Sequence, residues 1–254
     1  MGISAVVITL NEEVNIERCL GGLAFADEII VVDSLSSDRT VELARKFTDR
    51  IEERQFTGYS DQKSYALSLA TNDWVLIVDA DEVVTGELAK EIVSAVESGE
   101  CDGYRMPRLS YFLGRPMRRC GWYPDYQLRL ARKERARFPH RLVHETLEVD
   151  GKCGTLKSHL VHYSYRNMDD YLRKMAAYSR AGARQRLLEG GRFRLTDLLF
   201  RPGFAFFKKY VLQAGFAAGL RGFVLSGLSA YSVFLRYAIV WDLSKKEQDD
   251  GNED

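Results

Sequence analysis

An α/β fold with a mostly parallel sheet and a C-terminal helical extension is predicted by three observations. Short β-branched runs alternate with helix-length segments over roughly the first hundred positions, the pattern of right-handed crossover units. Two of those runs end in aspartate, Asp33 and Asp79, at the strand end where open α/β sheets hold ligands. From residue 193 onward the strand pattern gives way to apolar, aromatic segments punctuated by basic residues.

The elements follow in order. Residues 4–9 (SAVVIT) read as a buried strand, because the run is apolar and β-branched without alternation. Asn11 is expected to cap a helix starting at Glu12, with Val14, Ile16, Leu20 and Leu23 inward and a stop near Gly21 and Gly22. Residues 28–33 (EIIVVD) form a second strand, and Ser36, Ser37 and Asp38 offer caps for a helix over 40–47. A short strand over 50–54, a helix over 60–70, a strand over 73–79 and a helix over 86–98 complete this part.

Between 101 and 163 aromatics, arginines and turn residues dominate. Short strands are expected over 104–109, 126–130 and 159–163, joined by long loops of the kind that carry acceptor contacts. Residues 168–188 read as an amphipathic helix with Tyr171, Met175 and Tyr178 on one stripe, broken by Gly190 and Gly191. The domain division expected is 1–190 for the α/β domain and 191–254 for the helical extension.

Residues 193–243 are the most apolar part. The longest uncharged stretch, 222–235, is 14 residues (235 − 222 + 1), short of the roughly 18 that a membrane span needs. Arg201, Lys208, Lys209, Arg221 and Arg236 interrupt the run 193–243, against only Asp197 and Asp242. Basic, aromatic helices lying on a membrane surface fit this pattern, with a core or dimer helix pair as the alternative. Oligomeric state is left open by the sequence.

Composition excludes several classes. Hydrophobic residues at 46% and charged residues at 28% are globular values, not those of a disordered chain. Thirty-six basic against 36 acidic side chains give no net charge, which argues against a nucleic-acid binder. Cys19, Cys101, Cys120 and Cys153 lie far apart with no CxxC pair, so neither a zinc cluster nor a disulfide framework is expected, and a reducing compartment is. The first residues lack the basic segment and the long apolar run of a signal peptide.

The sharpest chemical feature is VLIVDADEVV. Asp79 and Asp81 leave a hydrophobic strand with one small residue between them, and period-two geometry points both to one side. Paired carboxylates repel unless a cation lies between them, and a hard ion such as Mg²⁺ or Mn²⁺ would bridge them to substrate phosphates. The same string also fits an aspartate-nucleophile phosphatase, although such enzymes usually open with this strand. Trp122, Tyr123, Asp125, Gln127 and Arg129 combine aromatic faces that pack on sugar C–H surfaces with groups that bind hydroxyls, an acceptor or donor-sugar wall.

The ordered set VVITLNEE, VVDSLSSDRT, GYSDQKSYALSLATNDWVLIVDADE, GWYPDYQLRL, VHETL and HLVHYSY resembles the GT-A-fold, family 2 inverting glycosyltransferases, and within them the bacterial lipopolysaccharide-core glucosyltransferases. The resemblance spans about residues 3 to 190. It implies a nucleotide-sugar donor, a divalent cation and inversion at the anomeric carbon. Thr9, Asn11 and Glu12 match the family's first nucleotide loop, and Asp33 its acid for base or ribose. Where the family commonly has two acids followed by Gly-Ser, this chain has Ser34 and Leu35 after Asp33. Gln62 and Lys63 match the helix that approaches the nucleotide, Lys63 with diphosphate in reach. Glu145 falls where the family's general base stands, and His162 resembles the late histidine that completes the metal shell beside Asp81 and Asp79.

The resemblance thus implies an enzyme that moves a hexose from a nucleotide diphosphate sugar, a UDP-sugar in the first instance, to a hydroxyl of a lipopolysaccharide-core or other lipid-linked saccharide. It would act in the cytoplasm, peripherally on the inner face of the plasma membrane. Transfer to a polyprenyl phosphate is the alternative within the enzyme class, and a membrane adaptor that has lost the chemistry is the alternative outside it.

Overall fold

The structure, a computed structural model, describes residues 1–139, 146–165 and 167–250. The chain forms two compact units: Met1–Ser110 with Pro124–Tyr163, and Tyr111–Tyr123 with Ser164–Asp254.

In the first unit, strands and helices alternate as β1 (Ile3–Thr9), α1 (Ile16–Gly21), β2 (Glu28–Asp33), α2 (Thr40–Ala44), β3 (Ile51–Glu53), α3 (Tyr59–Leu69), β4 (Trp74–Asp79), β5 (Glu82–Val84) and α4 (Gly86–Ser98). β1 pairs in parallel with both β2 and β4, and β2 with β3, as the crossover helices require. Period-two side-chain alternation divides the core between the two faces. Ala5, Val7, Trp74, Leu76 and Val78 pack on one face against α1 and α4. Val6, Ile30, Val32, Val75 and Ile77 pack on the other against Ala66 and Leu67 of α3. Both faces are covered, which is why these strands are uninterrupted apolar runs.

α4 occupies the predicted residues. Thr85 caps it by accepting from Leu88 N, and Gly99 ends it at φ 62°. α1 differs from the expectation: Asn11 does not cap it, and the helix begins only at Ile16. Asn11 adopts φ 53°, its N–H donates to Ser36 Oγ, and its side-chain oxygen accepts from Ser37 N, so it ties two loops together. Val14, expected inward, is 61% exposed as a result.

The later strands extend the sheet antiparallel and then mixed. β6 (Gly103–Phe112) and β8 (Asp125–Arg132) pair with each other, and β8 pairs with β4. β9 (Ala136–Arg137) and β10 (Glu148–Val149) form a separate pair, β11 (Cys153–Thr155) lies along β6, and β12 (Leu160–His162) lies between β6 and β5. The sheet order of this unit is β3-β2-β1-β4-β8-β6-β12-β5. All four cysteines are free thiols.

The second unit contains the end of β6 with its hairpin partner β7 (Arg115–Pro116; the first unit's β8 follows in the chain), then α5 (Met168–Leu188), α6 (Leu195–Phe207) and α7 (Gly219–Asp250). Asn167 caps α5 by accepting from Asp170 N. Tyr171 and Met175 are buried as expected, but Tyr178 is 67% exposed and the inward stripe continues through Ser179 and Ala183. Steps of four carry the row along the ridge that meets α7, where Ser179 Oγ lies 3.2 Å from Ser232 Oγ. α5 therefore packs with the C-terminal helices, where the sequence division had grouped it with the first 190 residues.

No residue of α6 is buried, and Pro202 lies inside it. Leu199, Phe200, Phe204 and Phe207 are all exposed, and Val211, Leu212 and Phe216 beyond the helix continue the apolar surface. Phe206 joins α6 to α7 by an edge-on contact with Phe223 at 5.7 Å. Among the described residues, Gly215–Lys245 is the one stretch long and apolar enough to cross a membrane by length and composition.

Candidate active site

The site is organised where β4 stops. Asp79 is the last residue of β4, Asp81 sits in the turn, and Glu82 opens β5 wholly buried. Glu82 closes the turn by accepting from the Asp79 N–H at 3.1 Å. A carboxylate removed from water needs cations and hydrogen bonds around it. Arg129 on β8 supplies the first: its Nη2 lies 2.6 Å from Glu82 Oε1 and 2.6 Å from Asp79 Oδ2. Arg108 on β6 supplies the second, 3.3 Å from Glu82 Oε1 and 2.7 Å from Asp125 Oδ2. Lys63 on α3 lies 2.9 Å from the other oxygen of Asp79, and Gln127 donates to Asp125 Oδ1 at 2.8 Å. The result is one continuous charge ladder from Lys63 to Gln127.

These contacts set the charge states. Burial alone would raise the Asp79 carboxyl, but the Arg129 guanidinium and the Lys63 ammonium hold it well below the usual carboxylate range. Burial would lower the Arg129 value, and Asp79 with Glu82 drives it up instead. Cys19, whose Sγ approaches the Asp79 carbonyl at 3.7 Å, is pushed well above an ordinary thiol by burial first and then by the surrounding carboxylates.

Asp81 has a different partner. β12 runs antiparallel to β5 with His162 opposite Glu82, and parallel to β6 with His162 opposite Ser110. His162 Nε2 thereby comes 3.2 Å from Asp81 Oδ2, and its Nδ1 comes 3.1 Å from Ser110 Oγ. The Tyr163 N–H donates to the Asp81 carbonyl at 2.8 Å and fixes the turn.

The expected clasp of Asp79 and Asp81 on one cation is thus divided. Both oxygens of Asp79 are engaged by side-chain cations, while Asp81 meets His162. Among the described residues no three His, Cys, Asp or Glu side chains group as a metal site. A divalent ion nonetheless suits the Asp81–His162 pair, since the Asp81 carboxylate is the kind of protein ligand through which Mg²⁺ or Mn²⁺ is commonly held, phosphate and water supplying the rest, and a neutral imidazole can add to the shell of Mn²⁺. A phosphatase nucleophile does not suit Asp79, because neither of its oxygens is free to attack.

The residues expected on the nucleotide side form a second cluster, around the ends of β1 and β2 and the start of α3. Asp33 is wholly buried, and its two oxygens accept from Ser36 N at 2.7 Å and Ser36 Oγ at 2.5 Å. The Glu12 N–H donates to Thr40 Oγ1 at 2.8 Å, and Gln62 Nε2 donates to Ser34 Oγ at 3.1 Å. Ser34 is therefore the partner of Gln62. Thr9 Oγ1 and Gln62 Oε1 are buried without a hydrogen-bond partner. Unmatched polar atoms at the end of β1 and on α3 are what a pocket awaiting a polar ligand presents.

Three sequence expectations need correction. Lys63 is buried against Asp79 rather than extended toward diphosphate, because a desolvated ammonium takes the nearest carboxylate. Arg129 is an internal strut at 7% exposure, not part of a sugar wall. Trp122 and Tyr123 belong to the second unit, where Trp122 packs edge-on to Phe112 at 5.9 Å, while Asp125 and Gln127 belong to the first. Glu145 lies outside the described residues. The sequence reading missed Glu82, Arg108 and Ser110. The acidic run DADE carried a signal for Glu82, but Arg108 and Ser110 sit in an unremarkable strand and acquire their roles only by pairing.

Residues 4–157 match the glycosyl transferase family 2 profile. The chain is 32% identical to an uncharacterized glycosyltransferase of Rickettsia typhi over 97% of this chain and 89% of that protein. It is 31% identical to the lipopolysaccharide core biosynthesis glycosyltransferase LpsC of Rhizobium meliloti over 94% of this chain and 92% of that one. In fold it is similar to residues 1–349 of S. aureus TarS, crystallised with UDP-GlcNAc, at a TM-score of 0.51 and 14% identity over 97% of this chain and 92% of the other. The architecture is the GT-A fold with C-terminal helices.

Proposed function

The chain belongs to glycosyl transferase family 2, and from that premise we propose that it is an inverting, divalent-cation-dependent hexosyltransferase acting at a membrane surface. It takes a nucleotide diphosphate sugar, a UDP-sugar, and transfers the hexose to a hydroxyl of a lipopolysaccharide-core or other lipid-linked saccharide. The observation that carries this reading is the Asp81–His162 pair, 3.2 Å apart at the end of β4 beside the charge ladder. The acceptor class is supported by the near full-length likeness to LpsC.

Each residue has a role that follows from its chemistry. Thr9 and Gln62 offer their unmatched oxygens to the nucleotide, and Asn11, Glu12 and Asp33 hold the loops around it. Asp81 and His162 would hold Mg²⁺ or Mn²⁺, which when bound offsets the charge that develops on the diphosphate. Asp79, Lys63 and Arg129 keep the strand end rigid, so that Asp81 does not need to reorganise during transfer. Asp125 and Gln127, already hydrogen-bonded to each other, would accept from and donate to sugar hydroxyls. The acceptor oxygen attacks the anomeric carbon from the face opposite the diphosphate, Glu145 takes its proton, and the nucleoside diphosphate leaves with the bonding electrons.

The membrane part of the proposal is supported by α6. A helix with no buried residue and an exposed Leu/Phe face, with Arg194 and Lys208 at its ends and Arg201 within it, suits an interfacial position on the cytoplasmic leaflet. Thermal shift against a panel of UDP-, GDP-, ADP- and dTDP-sugars, with and without Mg²⁺ or Mn²⁺, tests the donor reading. A UDP-sugar should stabilise the protein in a metal-dependent way, by RT ln(1 + [L]/Kd). No shift with any donor would overturn it.

A further inference from the structure

The second unit carries a basic element that the transfer chemistry does not use. The hairpin Tyr111–Tyr123 turns at Leu113 and Gly114, with φ 48° and 74°, and pairs Phe112 with Arg115. Its sequence, YFLGRPMRRCGWY, holds three arginines and no acid. Phe112, Met117 and Cys120 are buried in a core with Tyr171, Met175 and Leu225, so the hairpin is a fixed part of this unit. Arg115, Arg118 and Arg119 are exposed, as is Leu113 at the tip. Among the described residues none of these three guanidiniums is paired with a carboxylate; Arg118 lies over the Tyr123 ring at 5.1 Å. Unpaired cations on an ordered scaffold are an electrostatic surface awaiting a counter-charge.

What the hairpin is tied to narrows that counter-charge. The Cys120 N–H donates to the Gln213 carbonyl at 3.0 Å, and Lys209 Nζ donates to the Cys120 carbonyl at 2.9 Å. Gly121 lies so close to the Gln213 side chain that a Cβ there would come within 2.4 Å of it. Gln213 and Lys209 belong to the segment that continues α6, the helix with the exposed apolar face. The hairpin arginines therefore share one rigid assembly with Phe204, Phe207, Val211 and Leu212, all exposed. Exposed cations and a bare apolar surface carried by the same compact unit match a bilayer interface, where phosphate headgroups lie directly over acyl chain.

We propose that the hairpin Tyr111–Tyr123 is a second membrane-contact element, with Arg115 and Arg119 among the headgroups of an anionic bilayer and Leu113 at the interface. This rests on the membrane reading of α6, and makes the attachment two-point, so that the unit is held in one orientation instead of pivoting about a single helix.

The test is sedimentation of the full chain with vesicles of phosphatidylcholine alone or with about a third phosphatidylglycerol. Wild type should partition onto the anionic vesicles and be released by high salt. The double substitution Arg115→Gln with Arg119→Gln should weaken that partitioning about thirtyfold. Arg45→Gln with Lys152→Gln, an equal loss of exposed charge in the first unit, should leave it within a few-fold of wild type. Leu113→Trp, with the arginines intact, should gain a blue-shifted emission on anionic vesicles, which reads the contact independently of the double variant's folding. Failure of wild type to bind overturns both the membrane reading and the hairpin. Normal binding by the hairpin variant, equal loss in the control, or an unshifted emission from the Leu113→Trp variant overturns the hairpin inference alone.

Discussion

Arg129 and Glu82, 47 positions apart in the chain, meet at 2.6 Å inside the protein, and the same guanidinium nitrogen reaches Asp79. One buried cation thus holds the end of β4 to the start of β5 and fixes the turn that presents Asp81. A charge pair of this kind is costly to break from one side, because the partner is left charged and dry.

Arg129→Met should therefore destabilise the protein by about 3 kcal/mol, since Glu82 is wholly buried and keeps Arg108, at 3.3 Å, as its one cationic partner among the described residues. Urea unfolding measures this directly. A loss below about 0.5 kcal/mol, the range of an ordinary surface change, would show that Arg129 is not what holds the turn between β4 and β5.

Asp81→Asn is nearly isosteric and removes one charge from the pair with His162. Metal-dependent donor affinity should fall by at least tenfold, the scale of a lost metal-shell interaction, while the melting temperature without metal stays close to wild type. Titration calorimetry with a UDP-sugar, with and without Mn²⁺, separates the two. Unchanged metal-dependent affinity would remove Asp81 from the metal shell.

Glu145→Gln keeps size and removes the proton acceptor. Single-turnover transfer should slow by about 10²- to 10⁴-fold while donor affinity barely moves. Transfer within a few-fold of wild type would point to another base, with Asp125 next in line. Weakened donor binding would place Glu145 on the nucleotide side instead.

Cys19 and Cys153 should differ in reactivity. Burial and the neighbouring carboxylates hold the Cys19 thiol protonated well above its ordinary range, whereas Cys153 is only half-buried. Iodoacetamide near pH 8 followed by peptide mass spectrometry should label Cys153 first and Cys19 only on unfolding. Early labelling of Cys19 in the folded protein would mean that the turn at Asp79 opens readily.

The strand–helix alternation, the parallel sheet and α4 to its terminal residues were all legible in the sequence, because each depends on local periodicity or on a cap a few residues away. So was the basic and aromatic character of the C-terminal helices. Tertiary structure alone decided how the charges are shared. Whether Lys63 faces diphosphate or Asp79, whether Arg129 lines a wall or bridges two carboxylates, and that Asn11 joins two loops instead of capping a helix all depend on which distant residue lies within about 3 Å. His162 reaches Asp81 only because β12 inserts between β5 and β6, a pairing set by sheet register and not by any spacing in the chain. A buried charge takes its nearest counter-charge, and nearness across 50 or 80 positions is a property of the fold.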